Sequence, residues 1–151
     1  MGQSLSRVLL HIIFSTKNRF AFLTDSELQK RMHAYLASVF NQHNSPAIEV
    51  GGTNDHVHIL CLQSRNHAIS EIIRKAKVNS SSWAKTLGGR CQKFSWQSGY
   101  GVFSIHQSQI EPMRKYIQGQ PEHHRRKTFQ EEYLEILREY RIPYDERYLW
   151  E

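Results

Sequence analysis

Two histidines separated by one residue are the first feature of this sequence that could carry out chemistry. His56 and His58 flank Val57 in a run of β-forming residues that follows a turn rich in Gly, Asn and Asp. Successive side chains of a strand point to opposite faces, so both imidazoles project from the same face. Two neighbouring imidazoles can share one metal ion. Because a His-x-His pair is common, a metal site also needs ligands from elsewhere in the chain.

A second pair of polar residues lies in a helical pattern late in the chain. Tyr116 and Gln120 are four residues apart, which places them on one face of a helix. With His56 and His58, the Gln120 oxygen would hold a divalent cation, Mg²⁺ or Mn²⁺, and leave positions open for a substrate phosphate. A phenol is a weak nucleophile at neutral pH, but it becomes a plausible one beside such a cation. The alternative is a half-buried aromatic residue and a surface amide without a chemical role.

The hydrophobic pattern predicts the strands and helices that must position these groups. Apolar and alternating runs predict strands over residues 7–15, 47–53, 56–63, 94–97 and 100–106, with the last two joined as a hairpin near Ser98-Gly99. Helices are predicted after capping boxes at Thr24–Glu27 and Thr128–Glu131, over about 70–86, and from Ser108 to a break or kink at Pro121.

This order of elements predicts one α+β domain that spans residues 1–151. Hairpins separated by helices favour an antiparallel-rich sheet with helices packed on it, of the split βαβ type found in ferredoxin-like and RRM-like folds. The tail, residues 142–151, contains three aromatic residues and is expected to dock on the domain surface.

Composition favours a polyanionic partner and a reducing compartment. Lys and Arg outnumber Asp and Glu by 20 to 14, which indicates nucleic acid first and an anionic membrane second. Cys61 and Cys91 have no CxxC spacing, and Cys61 lies in an apolar strand, so a reduced thiol and a cytoplasmic location are expected.

No run approaches the ~18 apolar residues of a membrane span, and no signal peptide is expected.

Several basic residues are candidates for contact with nucleic acid. The 15–19 loop is either an ordinary solvated turn or a phosphate-contacting loop, and the predicted helix over 70–86 is charged with nearly a single sign. Trp96 and Tyr100 belong either to the core or to a surface that stacks on bases. The candidate DNA-binding residues are Lys17, Arg19, Arg74, Lys75, Lys77, Lys85, Arg114, Lys115, His124, Arg125 and Arg126.

Four blocks of the sequence, in the same order, resemble the HUH single-tyrosine transposases, the IS-two-hundred-like insertion-sequence enzymes. The blocks are residues 11–19, 51–60, 96–104 and 116–125, and the resemblance extends over nearly the whole chain. The resemblance implies a fold of the HUH endonuclease type and a prokaryotic enzyme that binds single-stranded DNA hairpins at transposon ends. It also implies a homodimer in which Tyr116 acts in its own subunit or in its neighbour's.

The resemblance assigns a role to each residue of the constellation. Tyr116 would attack the scissile phosphate and form a 5′-phosphotyrosine, while His56, His58 and Gln120 would hold the metal ion. The sequence departs from the family pattern where Pro121 directly follows Gln120. A bend of the helix at this proline would change the direction in which the Gln120 side chain points. If the helix continued, His123 or His124 would be a substitute ligand, but Gln120 is preferred because it shares a turn with Tyr116.

Two other functions compete with the transposase. Another HUH endonuclease, a replication initiator or a plasmid relaxase, would share the His-x-His strand, although such proteins resemble longer chains. A non-catalytic module that binds single-stranded nucleic acid would use Trp96 and Tyr100 to stack on bases. A covalent protein–DNA adduct would distinguish an enzyme from a binding module.

Overall fold

The computed structural model describes residues 2–151, and its centre is a four-stranded antiparallel sheet. The strands are β1 (Leu9–Ser15), β2 (Ala47–Gly52), β3 (His56–Leu62) and β4 (Gly101–Ser104). The helices are α1 (Ser26–Gln42), α2 (Ile69–Lys85), α3 (Ile110–Gln118), α4 (Gln120–His123), α5 (Phe129–Glu139) and α6 (Glu146–Leu149).

The sheet has the strand order β2-β3-β1-β4, and each neighbouring pair is antiparallel. After β1 the chain crosses through α1 to β2, and β3 then returns between these two strands. This is the split βαβ arrangement, so the predicted α+β class is confirmed. Pairing of β1 with β3 sets Ile13 opposite His58 and Ser15 opposite His56.

The two faces of the sheet have different environments. Ile12 and Phe14 of β1, with Val57 and Ile59 of β3, face α1 and α2 and form the main hydrophobic core. The alternate residues of β1 and β3, including both histidines of the His-x-His pair, face the other way. A smaller cluster that includes Phe103 of β4 and the buried side of α5 covers part of this second face.

The predicted hairpin between 94–97 and 100–106 is wrong. Both segments run beside β1 as one interrupted path: Trp96 forms a bridge with Thr16, and Gly101 of β4 pairs with Ile13. The residues between them, Ser98 to Tyr100, bulge out of the ladder, so the Ser98-Gly99 signal marks an irregularity rather than a reversal of direction.

The bulge is held by a lysine that the sequence had suggested for DNA contact. Nζ of Lys77 donates hydrogen bonds to the carbonyl oxygens of Gln97, Ser98 and Gly99, at 2.9, 3.3 and 2.6 Å. Burial lowers the pKa of Lys77 to about 8. The ammonium group therefore serves the fold, and it has few donors left for a phosphate.

One of the two predicted helix N-caps is confirmed, and the other lies one residue later than predicted. The capping box of Thr128 and Glu131 is formed at the start of α5. At the start of α1 the N-cap is Asp25 rather than Thr24, because the Asp25 carboxylate accepts from the backbone amide of Leu28 at 2.8 Å.

The single helix predicted from Ser108 to Pro121 is divided in two. The first part, α3, ends at Gln118, and α4 begins at Gln120 with Pro121 in its first turn. Proline lacks the amide that a continuing helix requires but is tolerated in a first turn, which explains the break at Gly119.

The tail docks on the domain, as expected from its aromatic residues. Leu149 and Trp150 pack against the cluster that contains Phe129 and Tyr133 of α5. The backbone oxygen of Glu151 also accepts from the amide of Gly99 in the bulge, at 2.9 Å.

Candidate active site

The two histidines of β3 are fully buried, and each ring is fixed through its Nδ1 atom. Nδ1 of His56 lies 2.7 Å from a carboxylate oxygen of Asp55 and 3.0 Å from the hydroxyl of Thr53. Nδ1 of His58 lies 2.8 Å from Nε2 of His11 on β1. These contacts leave the Nε2 atom of both rings directed at the helices that cover this face of the sheet.

A carboxylate from α5 lies at the point where these rings converge. Glu132 is 2% exposed, and its Oε1 lies 3.1 Å from Nε2 of His58 and 3.7 Å from Nε2 of His56. Nε2 of His124, which follows α4, is also 3.1 Å from Oε1. Three imidazoles therefore surround one carboxylate oxygen.

The second oxygen of Glu132 accepts from the residues that the sequence paired on a helix. The Gln120 amide donates to Oε2 at 2.9 Å, and the Tyr116 hydroxyl donates to the same oxygen. The carbonyl oxygen of Gln120 lies 2.9 Å from Nε2 of His56, and the Tyr116 ring lies 5.7 Å from the His58 ring, centroid to centroid. Although Tyr116 and Gln120 belong to different helices, they lie at one site.

The electrostatics of the cluster keep His58 and His11 neutral and the Glu132 carboxylate charged. Burial lowers the pKa of His58 to about 4, against the opposing effect of Glu132, and burial followed by the charge of His58 lowers that of His11 to about 3. Burial alone would raise the pKa of Glu132, but hydrogen bonds with His124, His58 and Tyr116 outweigh it and hold this pKa well below its usual range. Neutral imidazoles and an ionised carboxylate are the protonation states that bind metal ions.

The phenol and the outer imidazole are shifted in the opposite direction. Burial, and then the charge of Glu132, raise the pKa of Tyr116, so its hydroxyl is protonated at neutral pH. Burial would lower the pKa of His124, but its contact with Glu132 raises it above the ordinary value. Burial is the larger cause for Tyr116 only, whereas the contact with the buried Glu132 carboxylate raises the pKa of both groups.

The donor atoms of this cluster fit a divalent cation. Among the described residues, ligand atoms of His56, His58, His124 and Glu132 all lie within 4.8 Å of one another. Imidazole nitrogen and carboxylate oxygen are common ligands of divalent ions, and a cation would compensate the buried charge. The amide oxygen of Gln120 is adjacent to His56 and is available as a further ligand.

Sequence reasoning missed Glu132, although a signal was present. Glu132 lies on the buried side of α5 with Phe129, Tyr133 and Leu137, and a carboxylate on an apolar stripe is costly unless it is paired. His124 was considered both as a substitute ligand and as a DNA contact. Its side chain is 9% exposed and faces Glu132, in keeping with the ligand alternative.

The cluster opens to solvent on the Tyr116 side. A cleft of about 530 Å³ reaches His11, Tyr116, His123 and Glu132 from the space between α3, β4 and α5. The cleft therefore gives solvent access to the Tyr116 side chain.

The basic residues of α2 lie on the opposite side of the sheet from this cluster. Arg74 and Lys85 are exposed, while Lys75 forms an ion pair with Glu71 at 3.1 Å. Because α2 packs on the face that carries Val57, these charges are separated from Tyr116 by the sheet.

The other basic candidates lie nearer the cluster or at the end of β1. Arg114 pairs with Glu49 and Glu111, and Arg125 with Glu122, whereas Lys115 and Arg126 are exposed. Lys17 is exposed at the end of β1, and the Arg19 guanidinium lies 5.4 Å from the centre of the Trp150 ring.

The surface expected of a base-stacking module is only partly present. Trp96 is 6% exposed, and its indole nitrogen donates to the hydroxyl of Ser80 at 2.9 Å, so it belongs to the core. Tyr100 is 38% exposed and remains accessible.

An antiparallel split βαβ sheet, with a His-x-His strand facing a helix-borne tyrosine, is the arrangement of the HUH fold. The family model described as "Transposase IS200 like" matches residues 4–120. The chain therefore belongs to the IS200-like transposase family.

Two solved structures share the fold. One is a candidate transposase from Deinococcus radiodurans R1, with a TM-score of 0.62 and 20% identity; the match covers 80% of this chain and 96% of that chain. The other is a REP-associated tyrosine transposase bound to a REP hairpin, with a TM-score of 0.59 and 15% identity, covering 82% of this chain and 74% of that chain. A search of curated proteins gave no significant match. Within residues 2–151, no helix has the length and apolar character needed to cross a bilayer.

Proposed function

We propose that this chain is a metal-dependent transposase that recognises hairpins at transposon ends. It cleaves and rejoins single-stranded DNA through a 5′-phosphotyrosine on Tyr116. The observation that supports this most directly is the convergence of Tyr116, Gln120, His56 and His58 around one buried carboxylate. A transposase of similar fold that is bound to a REP hairpin supports the class of ligand.

The proposed metal ligands are His56, His58 and Gln120, and the proposed ion is Mg²⁺ or Mn²⁺. When bound, the ion would polarise the scissile phosphate and supply positive charge beside the phenol. Such a charge is needed because burial and Glu132 raise the pKa of Tyr116, which makes the isolated phenol a poor nucleophile.

The cleavage step exchanges one phosphodiester bond for another. The Tyr116 oxygen attacks phosphorus, the bond from phosphorus to the 3′ oxygen breaks, and this oxygen leaves as a 3′-OH after it takes up a proton. Oε2 of Glu132 already holds the phenolic proton in a hydrogen bond and is the acceptor at hand. Attack of a 3′-OH on the phosphotyrosine reverses the exchange and reseals a strand, so no ATP is required.

The experiment is a covalent trapping assay. The chain is incubated with a single-stranded hairpin oligonucleotide and Mn²⁺, and a denaturing gel is used to find a protein–DNA adduct. Tyr116→Phe is expected to abolish the adduct and to preserve binding in a mobility-shift assay. The matched control, Tyr148→Phe, changes an exposed tyrosine on α6 and should retain the adduct.

The outcomes separate the competing functions. Binding without an adduct in the wild-type chain would indicate a non-catalytic module. An adduct that survives Tyr116→Phe would place the nucleophile elsewhere.

The proposal also includes a homodimer and action in the cytoplasm on nucleoid DNA.

A further inference from the structure

We propose that Glu132 and His124 are themselves metal ligands, so that three imidazoles and one carboxylate hold the cation, and that Glu132 also positions Tyr116. This inference rests on the proposed function, because it specifies the metal site of that enzyme. Both residues lie beyond position 120, where the match to the family model ends.

The distances around Oε1 of Glu132 fit this ligand set. In a tetrahedral site with bonds of ~2.1 Å, neighbouring donor atoms are about 3.4 Å apart. Oε1 lies 3.1 Å from Nε2 of His58, 3.1 Å from that of His124 and 3.7 Å from that of His56. These three values bracket the expected separation, and the four donor atoms all lie within 4.8 Å of one another, so an ion would draw the imidazoles closer together.

The orientation of each ring supports the same assignment. His124 is held like the two histidines of β3, since its Nδ1 lies 2.7 Å from the backbone oxygen of Lys127. All three rings therefore use Nδ1 for a contact outside the cluster and direct Nε2 at Glu132. An outer hydrogen bond at one ring nitrogen is the usual way in which a protein orients a metal-binding histidine.

One oxygen of Glu132 would bind the ion, and the other holds the Tyr116 hydroxyl. Oε1 faces the imidazoles, whereas Oε2 accepts from the Tyr116 hydroxyl and the Gln120 amide. Through one carboxylate, α5 thus sets the position of the phenol relative to the ion. Gln120 is then anchored through its amide nitrogen, with its oxygen beside His56.

Of the two ions proposed above, this ligand set favours Mn²⁺ over Mg²⁺. Imidazole nitrogen favours Zn²⁺, Co²⁺ or Mn²⁺ over Mg²⁺, which prefers oxygen ligands and retains its water. Three imidazoles and a carboxylate therefore exclude Mg²⁺ as the preferred ion and leave Mn²⁺ or a softer transition metal.

Hydrogen bonds alone would also produce contacts of about 3.1 Å, so the experiment must measure metal binding directly. The probe is Co²⁺ alone, added to the metal-stripped full-length chain, with visible absorption as the readout. A four-coordinate Co²⁺ site gives intense visible bands, whereas a six-coordinate one gives weak bands. We expect one Co²⁺ per chain, with intense bands.

The informative variants are Glu132→Gln and His124→Ala, and the control is Glu139→Gln. Glu139 is an exposed carboxylate at the end of the same helix. Its replacement removes one negative charge from α5 without changing the cluster around His56 and His58. We expect Glu132→Gln and His124→Ala each to weaken Co²⁺ binding at least ~10-fold and to reduce the bands. The control should match the wild type.

The result separates this inference from the proposed function. If His56→Ala abolishes binding but Glu132→Gln and His124→Ala bind like the wild type, the ligand assignment is overturned and the proposed function stands. If the wild-type chain binds no metal, both fail.

A second measurement needs no variant and so does not depend on how a variant folds. About a hundredfold excess of Mg²⁺ is added to the wild-type Co²⁺ complex, and the intense bands should persist. Displacement of Co²⁺ by Mg²⁺ would overturn the assignment.

Discussion

At the scale of single residues, the nine histidines of this chain differ in what surrounds each imidazole. His58 and His56 have partners at both ring nitrogens. His33 on α1 does not: among the described residues, its buried Nε2 has no hydrogen-bond partner. A buried polar atom without a partner costs about 1–3 kcal/mol, so His33 is a weak point of the fold.

The pH dependence of stability follows from this burial. Burial, and secondarily the charge of His56, lowers the pKa of His33 from 6.5 to about 4. Between these values the unfolded chain binds a proton that the folded chain excludes, so His33 costs stability as the pH falls from 6.5 towards 4. We expect His33→Leu to stabilise the chain in urea unfolding, by about 1–2 kcal/mol more at pH 5 than at pH 8.

The control for this prediction is Asn79→Leu, which replaces an exposed, non-titrating polar residue of α2 and should have the same effect at pH 5 and pH 8. An equal effect of His33→Leu at pH 5 and pH 8 would show that the fold does not hold this imidazole neutral.

At the scale of elements, the position of Tyr116, the proposed nucleophile, depends on how closely α3 approaches the sheet. A Cβ atom at Gly51 of β2 would lie 2.7 Å from Cγ2 of Ile117 and 2.8 Å from its backbone oxygen. Ile117 directly follows Tyr116, so a side chain at position 51 would displace the helix turn that carries the phenol.

We expect Gly51→Val to reduce the rate of adduct formation by about 10- to 100-fold, because a shift of about 1 Å is enough to misalign a nucleophile. Over-packing at this contact should also cost about 1–3 kcal/mol in the free energy of unfolding. The measurements are the trapping assay and urea unfolding. Gly99→Ala is the control, since its nearest contact would be an ordinary 3.4 Å. An unchanged adduct rate in a folded Gly51→Val chain would contradict this account.

At the scale of the whole molecule, the site and most of the unpaired basic charge of α2 lie on opposite faces of the sheet. Within one chain, Tyr116 already contacts the carboxylate that meets His56 and His58. Because one chain brings these groups together, we expect the tyrosine to act on the site of its own subunit.

Mixing two inactive variants tests this expectation. Tyr116→Phe lacks the proposed nucleophile and His56→Ala lacks a proposed ligand, so neither should form the adduct alone. If Tyr116 acts within its own chain, the mixture should form no more adduct than either variant. Restored adduct on the His56→Ala polypeptide, identified by a size tag, would instead show that its tyrosine reaches the site of a partner chain.

The sequence by itself determined the features that depend on local periodicity. His56 and His58 share a face because strand side chains alternate, and the helix-strand order was enough to predict the split βαβ class. The Thr128 capping box was also predicted correctly, because its contacts form within four consecutive residues.

Only the tertiary structure decided which distant groups meet at the site. Glu132 is 74 residues from His58, and periodicity places it on the buried side of α5 without showing what lies opposite. The bulge before β4 was missed because it depends on pairing with β1 and on Lys77, not on its own residues. Local patterns fix which face a residue occupies, but the partner on that face is fixed by the packing of elements far apart in sequence.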